Sequence, residues 1–517
     1  MTEDSDGRDT RRCAVAAALL ALVLRGIVPA AICDDAYITM TVARNGALGH
    51  GLAFNAGQPL YVSTAPLWAL LIAAVRATRL DTVLATRLLG TLAEMLLAAG
   101  MVMLGRVALG SARIGLVAAV LLLTNPAWLL TSFSGMELPL YVAAIVWSLG
   151  FAIEGRFSPA LAIAAAAIWI RVDGVLLYLV VTAMHVVAPR DRRAAWRQLG
   201  SLAIVAGYLG FGSLVYGELV PLSVQRKVGD GALFDRAWAM GALKLAANFA
   251  RVVIGRSFRW YGGTSLLIVA PLLLAAGAAA LLRERRSAML APAAFALVYA
   301  AGFILSGREY ALNFPWYFLP PLVAVTLASA FGVSRLVRAL APAREPVLLL
   351  GVAAVWAVAM AASTLAAGRT LRHDVIRERE QAYAAASVWL SRHLPPGARI
   401  AANEIGTVGF FRRGDLEVLD LFGLLRPRDE RTLGAAALVA KRRPEAVVTR
   451  DFFSYQGAID DAQPGAYVWL PLRSLRIGLR VDLAPRLMPF RGELDALDAS
   501  VALDREVPDA RSARGAR

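Results

Sequence analysis

Apolar runs of roughly 12 to 22 residues recur from Cys13 to Leu365, most of them separated by short polar breaks. No other feature of the chain restricts its fold as strongly. A soluble domain could not bury so many such runs, and 58% of the 517 residues are hydrophobic against 18% charged, with a mean hydropathy of +0.58. Inside a bilayer every backbone N–H and C=O needs an internal partner, so runs of this length are read as helices. The expected class is mostly α, a polytopic membrane protein.

The breaks orient the runs. Arg106 and Arg113, Arg156, Arg190 to Arg197, Arg283 to Arg286, and Arg335 to Arg344 fall on one side if each run crosses once. Positive residues mark the cytoplasmic side, so the N-terminus is expected inside and the C-terminal region outside, at the plasma membrane. The spans are expected at Cys13–Ile32, Val83–Leu104, Ile114–Thr131, Leu138–Ile153, Pro159–Ile170, Gly174–Val187, Leu199–Tyr216, Thr264–Leu282, Ala288–Leu305, Trp316–Phe331 and Pro346–Leu365, about eleven in all. Val62–Val75 is too short to cross and is read as an interfacial or re-entrant helix. The charged start with Arg8, Arg11 and Arg12 and a long first run suggest a retained signal-anchor. Gly217–Trp260 is read as a long outer loop. These loop arginines account for much of the +16 net charge, which removes the case for nucleic-acid binding. Cys13 and Cys33, at opposite ends of one span, cannot form a disulfide.

Composition changes near Arg369. The membrane module is expected over 1–367, with its first extracytoplasmic loop at 33–82, and a soluble α/β domain over 368–504. Strands are expected at Arg399–Ala402, Leu416–Leu421, Glu445–Thr449 and Tyr467–Leu472, with a helix over Tyr383–Leu394 stopped by Pro395-Pro396-Gly397. Residues 505–517 form a charged tail without apolar pattern, expected to be disordered.

On the outer side the orientation collects Asp34, Asp35, Arg44, His50, Glu137, Arg171, Asp173, Glu218, Arg226, Lys227, Arg308, Trp316 and Tyr317. Several of them also have an ordinary explanation. Asp34 suits an N-cap, Glu137 a helix start, Trp316 and Tyr317 the aromatic belt, and Arg226 and Lys227 snorkelling from an interfacial helix. Arg171 with Asp173 reads equally as a hairpin salt bridge. Taken together, carboxylates beside cations at one membrane face suit a reaction that deprotonates a hydroxyl and stabilises an anionic leaving group such as phosphate. Adjacent carboxylates also suit Mg or Mn, so Asp34 and Asp35 are candidate ligands of a divalent cation.

The motif Asp34-Asp35-Ala-Tyr37, followed by Ala43-Arg44-Asn45, Gly49-His50-Gly51, Phe54-Asn55 and Pro66-Leu67-Trp68, resembles the first extracytoplasmic loop of GT-C glycosyltransferases. The likeness is strongest to the arabinofuranosyltransferase branch that adds terminal arabinose in mycobacterial cell walls. It continues through Ser134-Gly135-Met136-Glu137, Arg171-Val172-Asp173-Gly174, Tyr216-Gly217-Glu218, Lys227, Phe314-Pro315-Trp316-Tyr317, Glu404-Ile405-Gly406-Thr407-Val408-Gly409 and Leu419-Asp420. The chain departs from that pattern at Leu60 to Ala65, where relatives often read Glu-Gly-Tyr-Thr-Asn. It departs again at Val172-Asp173, where they often carry Pro-Glu, and at Leu222, where they often carry Asn.

The resemblance implies an inverting transferase that takes a sugar from a polyprenyl phosphate and gives it to a hydroxyl of a cell-envelope glycan or glycolipid. It implies Asp34 or Asp35 as the base, and Arg44, Arg226, Lys227 and Arg308 around the donor phosphate. His50, Glu137, Arg171, Asp173, Trp316 and Tyr317 would stand near sugar or acceptor. A mannosyl donor and a lipid-linked sugar transporter or flippase are the competing expectations.

Overall fold

The computed structural model describes residues 3–28, 31–188, 194–228, 236–253, 269–306, 312 and 314–506. It divides into two compact units. One comprises Met1–Ala30, Leu89–Gly210 and Lys227–Leu371; the other comprises Ala31–Leu88, Phe211–Arg226 and Arg372–Arg517.

The first unit is a bundle of apolar helices. Close approach is set by small residues, as expected where lipid supplies no hydrophobic drive between helices. A Cβ placed on Gly105 would lie 2.3 Å from the Cα of Gly115, and one on Gly277 would lie 1.9 Å from the carbonyl oxygen of Ala328. The single charge in the first apolar run is also accounted for. Arg25 donates from Nη2 to Glu94 Oε2 at 2.6 Å and to the carbonyl of Ser132, while Glu94 Oε1 accepts from Trp128 Nε1 at 2.6 Å. A charge inside a bundle is tolerated when it is paired in this way.

Five helices among the described residues are long and apolar enough to cross a membrane, or six if one bent pair counts as a single span. The expectation of about eleven differs mainly because several of the runs form helices of only 14 to 16 residues, at Leu138–Ile153, Phe157–Ile170 and Gly174–Val187. The expected span Ile114–Thr131 is broken. Ala112–Leu123 and Pro126–Ser132 are bent by 71° relative to each other. Asn125 causes the break by accepting from Ala127 N and Trp128 N, with Pro126 at the first helical position of the new segment. The expected outer loop at 217–260 also holds two helices, Leu222–Val228 and Arg236–Val253.

The second unit joins the opening loop to the C-terminal segment. Its short helix Pro66–Arg76 has 11 residues, in keeping with a segment too short to span. Its sheet has β1 (Arg399–Ala402), β2 (Glu417–Asp420), β3 (Ala446–Arg450), β4 (Tyr467–Leu472) and β5 (Leu475–Arg480) in the order β2-β1-β3-β5-β4. β1 pairs parallel with β2 and β3, and β5 is antiparallel to both β3 and β4. Ala401, Leu419, Val447, Leu438 and Ile459 form a core against the sheet. The fifth strand was not expected from sequence; alternating Leu475, Ile477 and Leu479 with Arg476 and Arg480 is a strand pattern. The edge strand β2 is covered from the opening loop, where Asn55 donates to the carbonyl of Val418 and accepts from its N–H, both at 3.0 Å. One side-chain amide thus replaces a missing neighbouring strand.

Candidate active site

Asp34 opens the helix Asp34–Ala47 without capping it, since that helix has Cys33 at its N-cap position and no side-chain cap. The carboxylate turns instead to a helix far along the chain, Ile405–Phe411. Asp34 Oδ2 accepts from Gly406 N at 3.0 Å and Oδ1 from Thr407 N at 2.7 Å. Those are two of the first-turn N–H groups that a helix cannot satisfy itself, and negative charge is favoured there. The cap residue of that helix, Glu404, makes no side-chain cap bond of its own. The approach requires glycine, because a Cβ on Gly406 would lie 1.9 Å from the backbone oxygen of Asp34. Gly409 serves the same docking, since its Cβ would meet the Phe54 ring at 2.1 Å. The loop is fastened further by Arg44 Nη1, which donates to the carbonyl of Phe410 at 2.7 Å, and by Tyr37, packed against Phe410 and Phe411.

Around this clamp stands a buried acidic cluster. Glu380 is fully buried, accepts from Thr407 Oγ1, and is paired with Arg379. Burial, then the charges of Glu404 and Glu380, raise the Asp34 carboxyl well above its ordinary value, against the lowering by the Thr407 N–H. Glu404 is pushed up to about 7 by burial, opposed by Arg379 and reinforced by Glu380 and Asp35. Crowding of carboxyls away from water favours their protonated forms, as the upward displacement of Asp34 and Glu404 reflects. Asp35 is half-buried, whereas Asp34 is 6% exposed. Among the described residues no group of three or more His, Cys, Asp or Glu side chains is arranged to hold a metal ion. Asp34 in particular is a poor fit for a cation, since both its oxygens already accept backbone N–H groups.

A second polar network lies in the helical unit. Arg171 Nη1 donates to Glu137 Oε1 at 2.7 Å and Nε to Asp173 Oδ1 at 3.0 Å; Tyr299 donates to Asp173 Oδ2 at 2.6 Å. The guanidinium carbon stands 5.6 Å from the Tyr141 ring centroid and 5.2 Å from that of Tyr317. Glu137 occupies the N-cap position of Leu138–Ile153 but makes no cap bond with its side chain. The network therefore joins the starts of two helices, the middle of a third and the Phe314 to Tyr317 segment, in which Trp316 stacks on Phe314 at 4.9 Å.

His50 is exposed in a turn between Gly49 and Gly51, both at positive φ, and makes a backbone bond to Asn45. The side chains of Arg226 and Lys227, on Leu222–Val228, lie outside the described residues, as does Arg308. Three members of these sites were not singled out from sequence. Arg379 and Glu380 sit in the run Arg372–Glu380, whose charges look like any solvated helix face, and Tyr299 lies in an apolar helix. A lone hydroxyl in such a helix was the one available signal.

Residues 370–482 match a family model described as a domain of unknown function (DUF8728). No curated protein matches the sequence. Solved structures do match it. ArnT from Cupriavidus metallidurans in the apo state superposes with a TM-score of 0.61 at 16% identity, over 91% of this chain and 98% of that one. The same enzyme bound to undecaprenyl phosphate gives 0.56 at 14% identity, over 90% and 97%. The oligosaccharyltransferase of Archaeoglobus fulgidus gives 0.57 at 13%, over 90% of this chain and 73% of that one. The fold is the GT-C fold. Mycobacterial arabinofuranosyltransferase AftD, another GT-C structure, aligns with 0.48 at 16%, over 91% of this chain and 40% of that one. The likeness of the opening loop to GT-C enzymes thus agrees with the GT-C fold of the whole multi-pass chain.

Proposed function

We propose that this chain is a membrane glycosyltransferase that moves a sugar from a polyprenyl phosphate to a hydroxyl of a cell-envelope glycan at the extracytoplasmic face, with inversion. The observation that carries the reading is the way Asp34 is held, from which we infer a division of labour with Asp35. Asp34 spends both oxygens on the start of Ile405–Phe411, which fixes the backbone that presents Asp35 beside it. Asp35 is the base. It takes the proton of the acceptor hydroxyl as that oxygen attacks the anomeric carbon opposite the phosphate. The new carbon–oxygen bond forms as the bond to phosphate breaks, and the polyprenyl phosphate leaves. Phosphate needs no proton to depart, so one base suffices. The acidic cluster around Glu404 offers a site to which that proton passes.

Arg226, Lys227 and Arg308 are the cations proposed for the donor phosphate, whereas Arg44 is engaged by the Phe410 carbonyl and positions the loop. Glu137, Arg171 and Asp173 pair with one another and are proposed as positioning residues that hold the helix starts of their own unit. If a divalent cation takes part, Asp35 is its ligand and the cation would supply charge to the departing phosphate. ArnT, which shares the fold, has been solved with undecaprenyl phosphate bound, and this supports a lipid-linked donor. The opening-loop motifs support arabinofuranose as the sugar.

Purified protein in nanodiscs, given radiolabelled polyprenyl-phosphate arabinofuranose or polyprenyl-phosphate mannose with simple glycoside acceptors, tests the reading. Transfer from the arabinosyl donor is expected. Transfer from the mannosyl donor alone would correct the sugar, and transfer from neither would overturn the activity.

A further inference from the structure

The sheet changes its direction of winding at β1. From β1 the chain goes to β2 on one side and then returns to β3 on the other, with all three strands parallel. Where the connections diverge in this way, a crevice opens outside the carboxyl ends of the strands, and such crevices bind ligands. Asn403 follows β1 directly, and Arg450 ends β3. The Nδ2 of Asn403 and the Nε of Arg450 are buried and have no hydrogen-bond partner among the described residues, although Asn403 is only 2% exposed and its Oδ1 accepts from Tyr383. A buried amide donor left unmatched is costly, and a ligand hydroxyl would meet it.

The same edge of the sheet carries an aromatic tip. Phe422 follows β2, and Phe452, Phe453 and Tyr455 follow β3. Phe453 packs edge-on to Phe422 at 5.0 Å and parallel to Tyr455 at 5.8 Å, while Phe452, 5.4 Å from Phe453, is 83% exposed. Ser454, between them, holds a positive φ of 52°, a strained backbone for a residue with a side chain. The core of this unit does not use Phe452, so its exposure calls for another partner.

We propose that the carboxyl edge of this sheet is a glycan-binding site, in which the aromatic tip stacks on the C–H face of a sugar ring while Asn403 and Arg450 bind its hydroxyls. The proposal rests on the glycosyltransferase reading for its substrate, the acceptor glycan, and gives the domain of unknown function its role. Aromatic faces are negative and sugar C–H groups positive, so the two are complementary. Amide and guanidinium donors match hydroxyl oxygens. A lipid tail would satisfy neither donor. Asn403 lies three residues before Gly406, whose N–H donates to Asp34, so a glycan held here lies in the neighbourhood of the Asp34-Asp35 pair.

The test uses the full chain in nanodiscs with two soluble probes, an α(1→5)-linked arabinofuranose hexasaccharide and an α(1→6)-linked mannose hexasaccharide. At least one is expected to bind, with Phe452→Ala weakening it tenfold or more and Phe452→Trp retaining it. In transfer assays Phe452→Ala is expected to raise the acceptor KM at least tenfold and leave the donor KM unmoved. Absence of binding for both probes, or equal binding by Phe452→Ala, would overturn the site. So would quenching of a dye on Phe452→Cys by spin-labelled lipid, which would place the tip in the bilayer. Phe452-dependent glycan binding without transfer from any lipid donor would leave this site standing and remove the transferase reading. Transfer with an unchanged acceptor KM in Phe452→Ala would do the opposite.

Discussion

Two buried polar clusters, one in each unit, solve the problem of acidic side chains away from water in opposite ways. In the helical unit Glu137 and Asp173 share a single guanidinium, Arg171, with the Tyr299 hydroxyl completing the set. In the other unit Asp34 is met by two backbone N–H groups, Glu380 by Arg379 and the Thr407 hydroxyl, and Glu404 is pushed up to about 7 by burial. The first arrangement is a lock, because every charge has a fixed opposite partner. The second is suited to proton movement, because burial pushes Glu404 up to about 7. A base belongs beside the second.

Removing the cation from the lock is expected to have the largest effect. Arg171→Met leaves two carboxylates buried without a counter-charge and should destabilise the protein by about 3–5 kcal/mol, seen as a large fall in melting temperature in detergent. Arg171→Lys should recover only part, since a point ammonium cannot serve Glu137 and Asp173 together in the fork geometry. A mild effect of Arg171→Met would show that the network is not a lock. Next comes Gly406→Ala, whose new Cβ collides with the Asp34 backbone. A loss of about 3 kcal/mol is expected, with protease sensitivity rising in both the opening loop and the C-terminal segment. A change confined to one of them would sever the proposed clamp.

The pH dependence separates the two clusters further. Glu404 rises from its usual 4.5 to about 7 on folding, so the folded state binds its proton more tightly than the unfolded chain. The stability it lends is complete below about 4.5 and is lost as pH rises to about 7, worth up to about 3 kcal/mol. Melting temperature should therefore fall as pH rises across that window. Glu404→Gln, which cannot release a proton, should flatten the profile, and an unflattened profile would assign the titration elsewhere.

Much of this architecture could be read from sequence because its causes are local. Apolar runs gave the helical class, and Leu138–Ile153 and Gly174–Val187 fall where they were expected. So do β1 at Arg399–Ala402 and β4 at Tyr467–Leu472. What escaped depends on distant partners. Asp34 reads as a candidate base with capping of its own helix as the ordinary alternative, but it binds the start of a helix some 370 positions later, a pairing that no periodicity reveals. The glycines of Glu404-Ile405-Gly406-Thr407-Val408-Gly409 were visible as a motif, but their reason, the approach of Asp34 and Phe54, is tertiary. Asn125 was missed because hydropathy runs straight through a residue whose side chain restarts the helix.

The central claim is that Asp34 holds and Asp35 reacts. The direct measurement is the rate of sugar transfer by Asp34→Asn and Asp35→Asn in nanodiscs, alongside the melting temperature of each. Asp35→Asn is expected to melt like the parent and lose transfer by about a hundredfold or more, the scale of a lost general base. Asp34→Asn is expected to melt lower, because its amide nitrogen cannot accept from a backbone N–H as the carboxylate does, and to lose activity in step with stability. Full transfer by a well-folded Asp35→Asn would contradict the account.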